Sequence, residues 1–238
     1  MDEWLFIELG GTSSQTAQSD QEGRWWFTPG VAQARGRPVA LACPGVIRDD
    51  RVLYATNLGW PDVANPATEL GFDRVPVLMN DAVAAALGES VLRAEADALP
   101  DLIFLALGTG VGSAYVHNGV AQDLDLGHMH VGGTTYCEGC RAVGCLNSLL
   151  AAEYLPTPLA EADQRGVAFT LAWALHARAV DTHTLVVLGG GIIRRYPMIA
   201  TILADQLPHP VANTLAPGGS EICGVCGIVV WCSARRME

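Results

Sequence analysis

Residues 102–113 read LIFLALGTGVGS: six apolar residues, then glycines at 108, 110 and 112 with Thr109 and Ser113 among them. An unbroken apolar run closed by a turn signal suits a strand buried on both faces. A strand that runs into a glycine turn leaves backbone N–H groups free to converge on an anion, with hydroxyls beside them. The same design occurs twice more. Residues 4–9, WLFIEL, lead into Gly10-Gly11-Thr12, and residues 184–188, TLVVL, lead into Gly189-Gly190-Gly191. Three such turns predict an α/β protein of two similar halves facing one another across a nucleotide cleft. The first two turns would cradle phosphates from opposite sides, and the third would flank a base or ribose.

Between these landmarks the pattern predicts a meander of strands at 15–18 and 24–28 with its turn at 20–23, a buried strand at 38–43 stopped by Pro44-Gly45, and a short edge strand near 52–56. A strand at 75–79 ends in Asn80-Asp81, and the alanine-rich stretch that follows reads as a helix. Asp81 has two readings: a helix cap, or a carboxylate held at the carboxyl end of a strand, where ligands of open α/β sheets bind. Later, residues 114–120 read as a hairpin partner of the second glycine strand. Helices are expected from about Leu146, over 166–180, over 196–206 and from Gly224 to the end. Cys223 and Cys226 are read as packing residues at the start of the last of these.

The stretch 125–147, DLGHMHVGGTTYCEGCRAVGCLN, carries a different chemistry. His128, Cys137, Cys140 and Cys145 stand in an H-x8-C-x2-C-x4-C pattern, a Cys3His set of the kind that closes a tetrahedral zinc site with no position left for water. His130 is an alternative to His128. Glycines at 127, 132, 133, 139 and 144 let the loop turn tightly enough to bring the four together. The bland reading is three small buried thiols and a surface histidine.

Composition narrows the class. Of 238 residues half are hydrophobic and 16% are charged, which is globular and not disordered. No apolar run approaches the roughly 18 residues of a membrane helix. The acidic start, MDEWLFIELGG, is expected to be a strand and not a signal peptide. Seven cysteines, three with a metal-ligand explanation, suit a reduced cytoplasmic protein. A formal net charge of −11 argues against a nucleic-acid surface. All fourteen basic residues are arginine, so an anion must be held by Arg, by backbone N–H groups or by a bound cation.

Taken together, these motifs resemble the ROK family of sugar kinases and regulators, which share the two-domain actin-like (ribonuclease H-like) ATPase fold. Glu8-Leu9-Gly10-Gly11-Thr12 is similar to the family's D-x-G-G-T, Asn80-Asp81-Ala82 to its N-D-A segment, and residues 107–112 to its G-T-G-x-G. Gly127-His128 with Cys137, Cys140 and Cys145 resembles G-H…C-x-C-G-x-x-G-C, and Leu188-Gly189-Gly190-Gly191 the adenosine motif. The resemblance implies an N-terminal α/β domain over 1–100 and a C-terminal one over 101–238, assembled as a homodimer. It implies ATP-dependent phosphorylation of a hexose, N-acylhexosamine or cyclitol hydroxyl, with Asp81 as general base. Gly10, Gly11, Thr12, Gly108, Thr109, Gly110, Gly112, Gly189, Gly190 and Gly191 would hold the nucleotide. Gly45, Asn80, Asp125, His128 and Asn147 would lie against the sugar. Structural Zn²⁺, and Mg²⁺ near Glu8, would accompany ATP.

Departures from the pattern fall mostly on the sugar side, with one, at Glu8, on the phosphate side. Glu8 replaces the family's Asp, Asp125 replaces a Glu before Gly127-His128, and Asn147 replaces the Glu of G-C-x-E. The chain also runs short between Trp26 and Pro38, where a helix is expected, and after Asn147. These changes support a second reading, a ROK-fold sugar- or nucleotide-binding or scaffold protein without turnover. A repressor role is not expected, because the first phosphate strand begins at residue 4 and the charge is negative.

Overall fold

The computed structural model describes residues 4–19, 25–94, 99–178 and 181–215. The expected turn at 20–23, the Cys223/Cys226 pair and the helix from Gly224 lie outside the described residues. Two five-stranded sheets dominate, and they have the same plan. The first contains β1 (Leu5–Leu9), β2 (Ser14–Ser19), β3 (Trp25–Pro29) and β4 (Val39–Cys43). A small hairpin, β5 (Val46–Arg48) with β6 (Arg51–Tyr54), and a short helix, α1 (Pro66–Leu70), precede its last strand, β7 (Val77–Asn80). The order is β3-β2-β1-β4-β7: an antiparallel meander on one side of β1, parallel strands on the other.

Helix α2 (Asp81–Leu92) then leads to the second sheet, which opens with β8 (Leu102–Leu107), β9 (Val111–His117) and β10 (Val120–Asp123). The loop carrying His128 and the three clustered cysteines follows, with a hairpin of two-residue strands, β11 (Tyr136–Cys137) and β12 (Ala142–Val143), then one turn of helix, α3 (Asn147–Leu150). Helix α4 (Glu161–Ala177), β13 (Leu185–Gly189), α5 (Gly191–Arg195), α6 (Met198–Gln206) and β14 (Val211–Asn213) complete the described chain. The order β10-β9-β8-β13-β14 repeats the first sheet strand for strand.

The apolar runs are continuous because both faces of each central strand are covered. In the first sheet Leu5, Ile7, Val39 and Leu41 face a core completed by Val52, Ala55 and Ala64. In the second, Ile103, Leu105, Val186 and Leu188 face α4 and α6. The opposite faces turn toward α2, which is a thin partition between the sheets. Ala84 packs with Phe6, Ala40 and Met79, whereas Ala85 and Ala86 pack with Leu102, Phe104 and Val187. Alanine keeps this helix narrow at no cost in helix propensity.

Several expected boundaries move. The second glycine strand's partner begins at Val111, so Gly112 lies inside β9 and the turn proper is 108–110. The helix expected over 196–206 begins two residues later, as α6 with Pro197 at its N-cap, and a separate short helix, α5, begins directly at the third glycine cluster. No described residue between 30 and 38 is helical, in line with the shortening read there.

Candidate active site

A cavity of about 620 Å³ opens between the sheets, and it gathers residues that are far apart in sequence. From the first sheet's side it is lined by Glu8, Gly10, Gly11, Thr12, Gly45, Asn80 and Asp81. From the second side come Gly108, Thr109, Gly110, Gly112, Asp125, His128, Asn147, Gly190 and Gly191. Gly189 does not reach it: it is the last residue of β13, hydrogen-bonded into the sheet and buried. The first two turns meet directly, since a Cβ added to Gly11 would stand 3.0 Å from the Thr109 side chain. The third folds under the second. Gly190 has φ +92°, and a Cβ there would lie 2.2 Å from the Leu107 carbonyl, so only glycine fits without displacement. The N–H groups of Gly11, Thr12, Thr109 and Gly110 make no hydrogen bond among the described residues. They are the donors expected of an anion cradle.

Asp81 sits where α2 begins. The helix cap is Asn80: its Oδ1 accepts from the N–H groups of Ala82 (2.9 Å) and Val83 (3.2 Å), and its Nδ2 donates to the Gly45 carbonyl at 3.1 Å. The reading of Asp81 as merely the cap is therefore corrected. Its Oδ1 accepts from the Ala82 N–H at 2.9 Å, and the carboxyl faces the cavity. Loss of hydration pushes this carboxyl up to about 6; the Ala82 N–H draws it down, and the nearby Asp123 carboxylate adds to the rise. Such a value suits proton acceptance near neutrality. Glu8 is buried on β1 with its carboxylate toward the same space, the oxygen chemistry a hydrated Mg²⁺ accepts.

The loop after β10 brings His128, Cys137, Cys140 and Cys145 together, with one ligand atom from each lying within 4.8 Å of the others. Cys137 Sγ is 3.9 Å from His128 Nδ1. In a tetrahedral zinc site neighbouring S and N ligands stand about 3.6 Å apart and two sulfurs about 3.8 Å apart, so a small contraction closes this set on an ion. His128, and not His130, is the member; His130 is exposed and bridges Cys145 through its backbone. Burial would raise the Cys137 thiol, but the N–H of Cys140, the Cys145 thiol, the Asn147 amide and the Gly139 N–H together hold it below the ordinary value. Burial, with the neighbouring thiols, pushes Cys140 up to about 11. The donor set suits a soft divalent ion.

Asn147 does not simply point at a sugar. Its Oδ1 accepts from the Val111 N–H at 2.9 Å and its Nδ2 donates to Cys137 Sγ at 3.5 Å. Asp125 holds a left-handed backbone (φ 49°) and takes its N–H to Asp123 Oδ1 at 2.7 Å.

Other lining residues escape a motif-based reading. Tyr54 is brought in by the β5–β6 hairpin, and its hydroxyl is raised by burial and by the Asp125 carboxylate. Arg194 and Arg195 also line the cavity, with Arg195 stacked 5.5 Å over the Tyr196 ring. In a chain without lysine, an Arg-Arg pair one turn beyond the third glycine cluster was the available signal. The lining thus combines an acidic group at Asp81, Asp123 and Asp125 with a basic pair on α5.

The fold and this cavity define a two-sheet, actin-like α/β protein with paired glycine turns. Comparison with known proteins gives the family. A model of the ROK family matches residues 27–157, more than half of the chain. The chain belongs to the ROK family. It is 35% identical over 102 residues to a polyphosphate glucokinase of Mycobacterium tuberculosis (strain CDC 1551 / Oshkosh), covering 40% of this chain and 38% of that protein. It is 32% identical over 125 residues to a glucokinase of Halalkalibacterium halodurans, covering 48% and 37%. The chain thus spans well under half the length of the curated relatives it matches. Among solved structures, a ROK family glucokinase from Streptomyces griseus in complex with glucose and AMPPNP superposes with a TM-score of 0.70 at 18% identity, covering 95% of this chain and 98% of that one. An inorganic polyphosphate/ATP-glucomannokinase from Arthrobacter sp. strain KM gives 0.64 at 22% identity, covering 97% and 99%. Among the described residues no helix is long and apolar enough to cross a membrane.

Proposed function

We propose that this chain is a sugar kinase that transfers the terminal phosphoryl group of ATP to a hydroxyl of a hexose, N-acylhexosamine or sugar-like cyclitol. The observation that carries the reading is the convergence of Asp81 with both glycine turns on one cavity. In this reading the sugar hydroxyl oxygen forms a bond to the γ-phosphorus, the bond from that phosphorus to the bridging oxygen breaks, and the hydroxyl proton passes to Asp81 Oδ. Gly11, Thr12, Thr109 and Gly110 hold the phosphates through their N–H groups and hydroxyls, while Gly10 and Gly108, whose N–H groups bond the Ser13 and Gly110 carbonyls, shape the two turns around the nucleotide. Glu8 would hold Mg²⁺, which supplies charge neutralisation of the phosphates. Gly190 and Gly191 flank the adenosine, with Arg194 and Arg195 beside it. Relatives that include polyphosphate glucokinases, together with those two arginines, support inorganic polyphosphate as a second donor.

On the acceptor side Asp125, Tyr54, Gly45 and the remaining N–H of Asn80 face the sugar. His128, Cys137, Cys140 and Cys145 hold structural zinc. The two sheets would correspond to domains over 1–100 and 101–238, with α2 shared between them. A cytoplasmic homodimer belongs to the same proposal, and the exposed Phe169 and Trp173, one turn apart on α4, offer an apolar face for it.

The test is sugar-phosphate formation from Mg²⁺-ATP or polyphosphate across hexoses, N-acylhexosamines and cyclitols, for wild type and Asp81→Asn. Turnover that vanishes in the variant establishes the reading and identifies the substrate class. A folded, zinc-loaded chain inactive throughout would instead be a binding protein of the same fold.

A further inference from the structure

The geometry points to Asn147 as a positioning residue that ties the metal-binding loop to the second glycine turn, so that metal occupancy sets the turn's shape. It rests on the proposed function only for what the turn holds, a donor phosphate. Asn147 follows Cys145 by two residues, and its amide spans the gap between a second ligand and the turn. Nδ2 donates to Cys137 Sγ at 3.5 Å, and Oδ1 accepts from the Val111 N–H at 2.9 Å. The amide orientation is fixed by chemistry, since the backbone N–H needs an acceptor and a thiolate needs a donor. A carboxylate at this position has no proton to offer the sulfur. The residue that departs from the family's G-C-x-E is thus suited to a task the glutamate could not perform.

Two further contacts run the same way. The Ala152 N–H, just beyond α3, donates to the Gly108 carbonyl at 2.9 Å. A Cβ on Gly127, next to the ligand His128, would lie 2.2 Å from the Val111 carbonyl, so loop and turn are in backbone contact on both flanks. Gly110 is close as well: a Cβ there would stand 3.1 Å from Asn147 Oδ1. A change of position at Cys137 is therefore felt at Val111 through one rigid amide. By reciprocity, a phosphate that fixes the turn strengthens metal binding by the same factor.

The experiment measures amide exchange at Val111, zinc affinity by chelator competition, and the thiolate-to-metal absorption of the Co²⁺-substituted protein, on the full chain as wild type, Asn147→Ala and Asn147→Asp. None of these needs catalysis, so failure of the kinase reading leaves the test intact. In wild type, Val111 is expected to be protected with metal and to exchange about tenfold faster after chelation, the loss of roughly one hydrogen bond. Asn147→Ala is expected to show fast exchange with or without metal and to bind zinc about tenfold more weakly, as for other partners of metal ligands. Asn147→Asp keeps an acceptor for Val111 but no donor for sulfur. It should retain Val111 protection while losing zinc affinity at least as far as the alanine variant and shifting the cobalt band. Val111 protection indifferent to chelation, or an alanine variant with wild-type exchange and cobalt spectrum, would overturn the proposal.

Discussion

The two glycine turns sit at equivalent places in two sheets of identical strand order, yet they are held differently. The first, after β1, closes on itself: the Gly10 N–H donates to the Ser13 carbonyl at 2.6 Å, and β2 leaves immediately. The second closes with the Gly108 N–H on the Gly110 carbonyl at 2.9 Å but is also gripped from outside, by Asn147 on Val111 and by Ala152 on Gly108. Both grips come from the segment that completes the metal loop. One turn is thus shaped by its own strand pair. The other depends on a knuckle some 20–40 residues downstream, and the repeat of strand order hides that asymmetry.

The largest expected effect falls where both turns meet the start of α2. Asp81→Asn keeps an oxygen for the Ala82 N–H but cannot accept a proton, and turnover should fall by about 10²–10⁴-fold. Steady-state kinetics with unchanged nucleotide binding would place the loss in chemistry. The same variant should be more stable, which a merely structural aspartate would not give. The ordinary carboxyl value is 3.8 and the folded value about 6. Between those limits the native state binds more protons than the unfolded chain, so stability declines as pH rises from about 4 to about 6. The substitution should remove that slope and add roughly 1–3 kcal/mol at neutral pH, read by denaturant titration. Wild-type turnover should climb as pH passes about 6, when Asp81 loses its proton.

Metal removal separates the turns more directly. Chelation, or Cys145→Ser, should destabilise the protein by several kcal/mol and speed amide exchange over 108–111, leaving 10–13 close to wild type. Equal loosening of both turns would break the contrast. Next in size is Gly190→Ala. With φ at +92° and the Leu107 carbonyl 2.2 Å from the new Cβ, it should cost about 2–4 kcal/mol in chemical denaturation. Gly11→Ala meets the Thr109 side chain at 3.0 Å, at Cβ as well as Cγ2, so a rotamer change does not relieve it and the two turns must part by a few tenths of an ångström. It should cost less stability than Gly190→Ala and raise the KM for the phosphoryl donor.

The central architecture was legible in the residues because strands buried on both faces write themselves as apolar runs, and β1, β4, β8 and β13 all do so. The convergence of His128, Cys137, Cys140 and Cys145 was equally legible, since four soft donors within eighteen residues have few uses other than a shared ion. What stayed hidden was decided by partners distant in sequence. Strand β14 is three residues directly after Pro208-His209-Pro210, and it is a strand only because Val186, Val187 and Leu188 of β13 pair with it. The cap of α2 is Asn80 and not Asp81 because the Gly45 carbonyl, 35 residues away, holds its amide in place. Asn147 lines the cavity as expected of a residue near the sugar, but that its acceptor is engaged by an N–H 36 residues upstream shows only in the fold. Short polar side chains carry no periodicity, so their roles appear only once the chain is folded.

The smallest effect concerns how the metal loop reaches back over the cleft. Arg141, at the tip of the β11–β12 hairpin, makes a bidentate pair with Asp62, both oxygens 2.7 Å from Nη2, across 79 residues of sequence. Both side chains are more than half exposed, so solvent screens the pair and its removal should leave unfolding unchanged within error. Its position is what matters. It joins the knuckle that braces the second turn to the segment that follows the β5–β6 hairpin, on the side of the first turn. Arg141→Ala should therefore raise the KM for the sugar slightly, less than threefold, and the difference from wild type should fade as salt rises above about 0.15 M. An equal change in donor KM would mean that the pair acts through Asn147 and the second turn, and not by closing the acceptor side.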